Sequence, residues 1–256
     1  MVYRRRFVAF GVGTPKSGTK SLARIFEQNF RSAHEPRPQH LEAALLAHSR
    51  GELATSEMRK WLKQRDRELW LEMEASHPLH MVIETLVEEI PESLYVLTVR
   101  DPYTWVESEI NQHMKRMNEF GWQQLKELRY RPGSYEYQAQ DAELQRRGLY
   151  PLASYLDYWT RHHERVVGAV PRERLLVVPT SDISTSLDDL ARFVGVPPGS
   201  LDAAASHSHA RSKTHFDFWS AVDRRYLEAQ VLQRCGDIMR RLLPKVGSIG
   251  DVLSEG

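Results

Sequence analysis

A nine-residue segment rich in small and basic residues has the composition of an anion-binding loop. It reads Gly13-Thr14-Pro15-Lys16-Ser17-Gly18-Thr19-Lys20-Ser21 and lies between the apolar run Phe7 to Val12 and a stretch with apolar residues at spacings of three and four. This pattern predicts a strand, a turn and a helix, which direct backbone N–H groups and the positive end of the helix dipole at one point. Lys16 and Lys20 are the only lysines before Lys60. We therefore predict a phosphate-binding loop here rather than a tight turn with incidental lysines.

A second basic position directly follows the clearest buried strand, Leu94 to Val99. Arg100 precedes Asp101 and Pro102, and an Asp-Pro pair is a strong signal for the start of a helix. Taken alone, Arg100 beside Asp101 would be a surface ion pair or a simple helix cap. Together with the lysines of the first loop, Arg100 becomes a candidate for binding an anion.

The elements that must position these residues alternate between strand-like and helical patterns. Within this alternation we expect a loop from Ser32 to Gln39, a strand from Leu69 to Glu74 and a final helix from Asp217 to Leu243. Such alternation favours an α/β fold with a mainly parallel central sheet flanked by helices and a P-loop-like turn after the first strand. We find no repeat and no linker, so residues 1–256 are expected to form a single domain. The polar and aromatic stretch at about 119–148 has weak periodicity and is expected to form a lid or acceptor-side insertion.

The composition of the chain argues against several classes of protein. With 256 residues, 41% of them hydrophobic, and Cys235 as the single cysteine, the chain has enough core without a disulfide or a cysteine-based zinc site. Because 35 Lys and Arg balance 34 Asp and Glu, no global charge excess indicates a nucleic-acid partner. The apolar runs are too short for a signal peptide or a membrane span, so we expect a cytoplasmic protein.

The lysine position distinguishes this loop from that of nucleotide triphosphatases, which place lysine directly after the second glycine. Here Thr19 occupies that place, and Lys16 precedes the Ser-Gly-Thr. Pro15 to Thr19 thus resembles the Pro-Lys-Ser-Gly-Thr motif of sulfotransferases that use 3′-phosphoadenosine 5′-phosphosulfate (PAPS). The resemblance implies PAPS as co-substrate, PAP as product, no metal, and phosphosulfate contacts from the whole loop. The implied residues are Pro15, Lys16, Ser17, Gly18, Thr19, Lys20 and Ser21.

The second motif of this family is an arginine at the end of a central strand and a serine eight residues later, both of which bind the 3′-phosphate. Arg100 and Ser108 have that spacing, and Ser108 would lie about two turns into the helix that starts beside Arg100. Arg211-Ser212-Lys213 loosely matches the family's Arg-Lys-Gly nucleotide clamp, which implies that Arg211 and Lys213 also contact the nucleotide.

The resemblance also implies two candidates for the general base, with Lys16 stabilising the departing phosphate oxygen. Glu35 matches a glutamate that bacterial and carbohydrate-type enzymes use shortly after the first helix, and we rank it first. His77, in Ala75-Ser76-His77-Pro78, matches the catalytic histidine of the soluble enzymes, although Ala75 replaces their lysine. Ser21 stands where the soluble animal enzymes have an adenine-stacking tryptophan, so the chain is closer to the bacterial and carbohydrate-type branch. Glu35 could instead only pair with Arg37, and His77 could only mark a turn.

Other aromatic and histidine side chains indicate a function less clearly. Trp122, Tyr130, Tyr135 and Tyr137 could line an acceptor pocket or form the core of a small lid. Among the eleven histidines, neither the pair His207 and His209 nor the pair His162 and His163 has the support of a metal site, and we predict no metal.

The sequence therefore predicts transfer of a sulfuryl group from PAPS to a hydroxyl of a small-molecule, sugar or lipid acceptor. One alternative is a P-loop kinase that uses ATP, with Asp101 binding Mg²⁺, although the displaced lysine argues against it. Another is a nucleotide-binding protein without catalytic activity. The acceptor and the oligomeric state stay open.

Overall fold

Five parallel strands form the central sheet. The computed structural model describes residues 4–116, 120–207 and 215–253. The strands are β1 (Ala9–Gly11), β2 (Ser32–His34), β3 (Met73–Ala75), β4 (Leu94–Val99) and β5 (Leu175–Pro179). They lie in the order β2-β3-β1-β4-β5, and every neighbouring pair is parallel. The predicted α/β class with a parallel central sheet is confirmed.

Helices occupy most of the remaining described chain. They are α1 (Thr19–Glu27), α2 (Pro38–Ser49), α3 (Thr55–Leu69), α4 (Ile83–Glu89), α5 (Pro102–Lys115), α6 (Phe120–Tyr130), α7 (Ala142–Arg146), α8 (Leu152–Ala169), α9 (Leu187–Phe193), α10 (Phe218–Ala221), α11 (Arg224–Leu242) and α12 (Ile249–Leu253). None of these described helices is both long enough and apolar enough to span a membrane.

The chain divides into two compact units by its internal contacts. The first unit comprises Met1–Val99 and Arg165–Ala210, and it contains the whole sheet. The second comprises Arg100–Glu164 and Arg211–Gly256 and is helical in its described residues. The single domain over residues 1–256 stays a prediction.

The core of the first unit lies between α1 and the sheet. Helix α1 buries Leu22, Ile25 and Phe26 completely, and the same cluster includes Met73 of β3 and Val96 of β4. The apolar spacing of three and four places these α1 side chains on one face. Packing that face against the sheet fixes where α1 begins, and therefore where the loop that precedes it lies.

The core of the second unit is aromatic. The fully buried side chains Tyr103, Trp105, Tyr130, Tyr155 and Trp159 come from α5, α6 and α8. The ring centroid of Tyr130 lies 4.9 Å from that of Tyr155, which places Tyr130 in this core. Of the predicted lid at 119–148, the described part contains α6 and α7, while residue 119 lies outside the described residues. The lid itself stays a prediction.

Three elements differ from the sequence prediction. Ser32–His34, predicted as a loop, forms edge strand β2 by pairing with β3. The strand predicted at Leu69 to Glu74 begins only at Met73, because α3 continues to Leu69 and Trp70, whose φ is 49°, is its C-cap. The helix predicted from Asp217 to Leu243 is interrupted, since the side chain of Asp223 accepts the N–H of Tyr226 and starts α11.

Candidate functional site

The carboxyl edge of the sheet brings several predicted site residues together in the first unit. Because the strands are parallel, their carboxyl ends meet at this edge. The predicted phosphate loop follows β1, Glu35 follows β2, and His77 lies two residues after β3. The strand order sends the connection from β1 toward one side of the sheet and that from β4 toward the other. Ligands of open α/β sheets bind beside such a switch point, at the carboxyl ends of the strands.

The phosphate loop is held to the strands through Ser17. Its hydroxyl donates to the carbonyl oxygen of Thr14 at 2.7 Å and lies 2.9 Å from the hydroxyl of Thr98 on β4. The Thr180 hydroxyl, just after β5, donates to the Ser17 carbonyl oxygen at 2.7 Å. Ser17 therefore uses its hydroxyl and its carbonyl to fix the loop.

Two glycines are required by close packing of this loop. A Cβ on Gly13 would lie 2.1 Å from the Thr98 hydroxyl oxygen and 2.5 Å from that of Ser17. Gly18 has a φ of +93°, and its Cβ would lie 2.6 Å from the side chain of Ile183. Lys16 also adopts a left-handed conformation, with a φ of 65°. Two residues immediately before α1, Lys16 and Gly18, thus have a left-handed backbone conformation. Residues other than glycine seldom adopt this conformation.

The start of α1 has the properties of an anion site. Gly18 is the N-cap, so no side chain caps the helix, and the first turn holds no acidic residue. Uncapped N–H groups and the helix dipole therefore favour a negative group at this end. Thr14 is completely buried, and its hydroxyl has no hydrogen-bond partner among the described residues. Lys16 is half-buried and Lys20 is exposed.

Glu35 and His77, predicted as alternative bases, form one pair. His77 Nδ1 lies 2.5 Å from Glu35 Oε1. The His77 side chain is 6% exposed, whereas that of Glu35 is 29% exposed. Arg37 instead forms an ion pair with Glu68 at 2.6 Å, so the interpretation in which Glu35 only pairs with Arg37 is not what the structure contains. A carboxylate at Nδ1 orients the imidazole and selects its tautomer.

The backbone at Glu35 is strained. Glu35 and Arg37 have φ values of 48° and 50°, on either side of Pro36. A left-handed conformation costs a residue other than glycine about 1–3 kcal/mol and persists only where its surroundings enforce it. The Glu35 N–H donates to the carbonyl oxygen of Ala75 at 3.0 Å, which continues the pairing of β2 with β3. This bond is one of the contacts that enforce the strained conformation.

His34 contacts both the loop and the pair. Its Nε2 lies 3.2 Å from the hydroxyl of Thr19, at the first turn of α1, and 3.9 Å from Glu35 Oε1. Burial lowers the pKa of His34, and the charge of Glu35 opposes that effect. His34 therefore joins the start of α1 to the Glu35–His77 pair within the first unit. No pattern in the sequence indicates this role for His34.

A buried ion pair between α3 and β3 was also missed. Arg65 Nη1 donates to Glu74 Oε2, and both side chains are at most 7% exposed. Glu74 lies at the centre of the three-residue strand β3, between Met73 and Ala75. The presence of the Glu74 carboxylate in a short, buried strand is the signal that could have revealed this pair.

In the second unit, Arg100 has features of an anion-binding side chain. It directly follows β4 and is half-buried. Its Nε donates to the Thr104 hydroxyl at 3.0 Å, and the Trp159 indole donates to the Arg100 carbonyl oxygen at 3.0 Å. Within the described part of the chain Arg100 forms no ion pair, and burial lowers its pKa against the opposing charges of Asp101 and Glu107. A half-buried guanidinium that forms no ion pair within the described residues favours binding of an anion.

The remaining predicted site residues are placed less fully. Ser108 is half-buried on α5. Arg211 and Lys213 lie outside the described residues. His162 and His163 are buried in the second unit, and burial lowers the pKa of His163 to about 4. Across residues 4–116, 120–207 and 215–253, no group of three or more His, Cys, Asp or Glu side chains could hold a metal ion.

Comparison with known proteins gives the class to which this fold and site belong. The family model described as "Sulfotransferase domain" matches residues 9–209. The chain therefore belongs to the sulfotransferase domain family, as the loop motif predicted. The match ends before Arg211. No curated protein is significantly similar in sequence.

Solved sulfotransferase structures resemble the chain over almost its full length. The sulfotransferase from Alicyclobacillus acidocaldarius has a TM-score of 0.56 at 16% identity, and the match covers 94% of this chain and 96% of that one. The sulfotransferase domain of the Synechococcus PCC 7002 olefin synthase has 0.47 at 17%, covering 90% and 94%. The sulfotransferase domain from the curacin biosynthetic pathway has 0.49 at 15%, covering 92% and 98%. The first of these likenesses confirms the fold.

Proposed function

We propose that this protein is a PAPS-dependent sulfotransferase that transfers a sulfuryl group to a hydroxyl of a small-molecule, sugar or lipid acceptor. The observation that carries the proposal is the position of the Glu35–His77 pair relative to the uncapped start of α1. Both lie at the carboxyl edge of one sheet, and His34 contacts both. A base beside an anion site is what transfer of an anionic group to an alcohol requires.

The loop residues Pro15 to Ser21 fit the phosphosulfate end of the donor. The N–H groups of the first turn of α1 and the Lys16 ammonium supply donors and positive charge where negative charge develops on the phosphate oxygen. The bound donor supplies an activated sulfuryl group and leaves as adenosine 3′,5′-bisphosphate. The Thr14 hydroxyl, which has no hydrogen-bond partner in the part of the chain that the structure describes, adds a further polar group in this loop.

We assign the role of general base to Glu35 and an orienting role to His77. The Glu35 carboxylate is the more exposed member of the pair, so an acceptor hydroxyl reaches it more readily than the buried imidazole. Glu35 accepts the hydroxyl proton as the acceptor oxygen bonds to sulfur, and His77 holds Oε1 in place. The electron pair of the broken sulfur–oxygen bond remains on the phosphate oxygen, next to Lys16.

Arg100 and Ser108 are proposed to bind the 3′-phosphate, and Arg211 and Lys213 to contact the nucleotide. Arg100 forms no ion pair among the described residues, although the charges of Asp101 and Glu107 act on it, and this supports its assignment. For the other three residues the proposal rests on the motifs of the family. The 3′-phosphate role can be tested with Arg100→Met, because this substitution removes the charge and keeps the length of the side chain.

We expect wild-type protein to bind adenosine 3′,5′-bisphosphate more tightly than adenosine 5′-monophosphate, and Arg100→Met to lose that preference. The control is Arg147→Met in the same unit, which removes an exposed ion pair with Glu143. Calorimetry in the presence of a chelator measures both affinities. If Arg100→Met keeps the preference, the 3′-phosphate assignment is wrong.

The kinase alternative is disfavoured by the contacts of Asp101. Its Oδ1 accepts the N–H of Thr104 at 2.8 Å, and its Oδ2 accepts the Thr104 hydroxyl, so both oxygens serve the helix cap. The same calorimetry separates the two functions. We expect metal-free binding of the bisphosphate, whereas binding only of ATP with Mg²⁺ would reverse the ranking.

A further inference from the structure

We propose that Arg65 is a positioning residue for the Glu35–His77 pair, acting through the loop that carries Glu35 and through Glu74. This inference rests on the proposed role of Glu35 as the general base. Arg65 lies on α3, outside every motif of the sequence, and its hydrogen bonds within the described residues go to Glu74 and Pro36 rather than to either member of the pair. Its effect on the reaction is therefore indirect.

Arg65 joins two segments that end at the site. One terminal nitrogen, Nη1, donates to Glu74 on β3, and the other, Nη2, donates to the Pro36 carbonyl oxygen at 2.9 Å. The guanidinium also lies 5.9 Å from the centre of the Trp61 ring. A planar fork with two terminal donors can hold two acceptors at fixed positions, which a lysine ammonium does less well.

The Pro36 contact bears directly on the conformation of Glu35. Pro36 lies between Glu35 and Arg37, the two residues with left-handed backbone. Proline has no N–H, so its carbonyl is the only backbone polar group through which the surroundings can hold this residue. The bond from Arg65 therefore adds a second restraint on the strained turn, besides the bond from the Glu35 N–H to the Ala75 carbonyl oxygen.

The Glu74 contact bears on His77. Glu74 Oε1 accepts the Ser76 hydroxyl at 2.8 Å, and the Ser76 N–H donates to the Gly11 carbonyl oxygen at 3.0 Å. Ser76 directly precedes His77 in the chain. Arg65 and Glu74 thus constrain both chain segments whose side chains meet in the pair.

The test compares Arg65→Lys with Arg174→Lys. Arg174 is also in the first unit and donates to backbone carbonyl oxygens, those of Ser93 at 2.8 Å and Ile90 at 3.0 Å. We expect Arg65→Lys to lower kcat about tenfold or more, because small displacements of a reacting group have large effects on rate. The KM for PAPS and the affinity for the bisphosphate should change less than about twofold, since the phosphate loop is untouched. Arg174→Lys should leave kcat unchanged, even if both variants lower Tm equally.

Coupling to Glu35 distinguishes positioning from general stability. In a Glu35→Gln background, Arg65→Lys should lower kcat by less than about twofold further, because residues that act through one group are not additive. Equal losses in both backgrounds, or an equal loss in Arg174→Lys, would overturn the proposal. If Arg65→Lys does not fold, Glu74→Gln keeps the shape of the side chain and should lower kcat in the same direction.

A spectroscopic measurement tests the inference without turnover. The His77 imidazole proton held by Glu35 should give a downfield proton resonance, assigned by its loss in His77→Asn. We expect Arg65→Lys to weaken or shift this resonance and Arg174→Lys to retain it. An unchanged resonance in Arg65→Lys would contradict the positioning role. If instead Glu35→Gln keeps full turnover, the assignment of Glu35 as the base is wrong. The resonance of His77 would still test separately whether Arg65 positions the pair.

Discussion

The same residue types are arranged differently in the two units, and the contrast separates a reactive site from a structural one. In the first unit, Glu35 faces His77 and is 29% exposed. In the second, Glu109 is completely buried and accepts the Tyr130 hydroxyl. Around Glu109 lies what we call the Glu109 cluster, which consists of Glu109, His113, Lys126, Arg129 and Tyr130.

Burial determines what the Glu109 cluster can do. Its histidine, His113, has a pKa lowered to about 3, first by burial and then by the charges of Lys126 and Arg129. His113 Nδ1 lies 2.6 Å from the Tyr155 hydroxyl, so its polar contact is internal. A histidine that stays neutral throughout the physiological range and is closed to solvent exchanges no proton with a substrate. Partial exposure and backbone strain, rather than composition, distinguish the Glu35–His77 pair.

The largest expected difference concerns the two glutamates. Glu35→Gln should lower kcat about 1,000-fold, because it removes the proposed base while keeping its shape. Glu109→Gln makes the same change in the second unit and should leave kcat per folded molecule unchanged, but lower the free energy of unfolding by about 1–3 kcal/mol. Turnover and urea denaturation of both variants check this. If Glu109→Gln lost turnover while its free energy of unfolding stayed at the wild-type value, the distinction between the two glutamates would be wrong.

Substituting one lysine in each unit should separate an effect on catalysis from an effect on stability, as it does for the two glutamates. Lys16→Met should lower kcat/KM for PAPS about 100-fold, since one preorganised donor to the departing oxygen is lost. Lys126→Met, at a buried lysine of the Glu109 cluster, should affect stability and leave the affinity for adenosine 3′,5′-bisphosphate intact. Steady-state kinetics and calorimetry provide the two readouts. Normal kcat/KM in Lys16→Met would exclude this lysine from the reaction.

Lowering the pH should lower the free energy of unfolding through the buried histidine His113. Because the pKa of His113 is about 3 in the folded state and near 6.5 in the unfolded state, the unfolded chain binds the extra proton between these values. Stability from this group is complete above pH 6.5 and falls as the pH drops toward 3. His113→Phe should reduce the slope of unfolding free energy with pH by about 1.4 kcal/mol per pH unit below pH 6. Denaturation at several pH values measures it, and an unchanged slope would contradict the assignment.

The smallest expected effect concerns a single hydroxyl. Tyr130→Phe keeps the aromatic packing and removes the donor to Glu109, so it should lower the free energy of unfolding by about 1–2 kcal/mol. Turnover per folded molecule should stay at the wild-type value. Changed acceptor selectivity in Tyr130→Phe would instead give this residue the acceptor-pocket role that the sequence left open.

Local signals in the sequence predicted the elements that carry them. Leu94–Val99 forms β4 with the predicted bounds because its residues are apolar, aromatic or β-branched, and α1 follows the loop as the apolar spacing of three and four predicts. The helix after Asp101 starts at Pro102, with Asp101 as the cap. The Pro15 to Thr19 motif led to the family that the comparison confirms.

Features that depend on pairing between distant segments were not predictable. Ser32–His34 has no apolar alternation and becomes a strand only through its bonds to β3. Glu35 and His77 are 42 residues apart and were predicted as alternatives, although the fold brings them together. Arg65 and Glu74 belong to no motif, and only the fold brings their side chains together.

Transfer of labelled sulfur tests the central claim most directly. The purified protein is incubated with PAPS carrying ³⁵S and a panel of alcohols, sugars, phenols and lipids, with Glu35→Gln and Glu109→Gln in parallel. The proposed function predicts label in at least one hydroxylated acceptor, retained by Glu109→Gln and lost in Glu35→Gln. Transfer that continues unchanged in Glu35→Gln would contradict the assigned base, and a wild-type protein that hydrolyses ATP with Mg²⁺ but transfers no label would contradict the function.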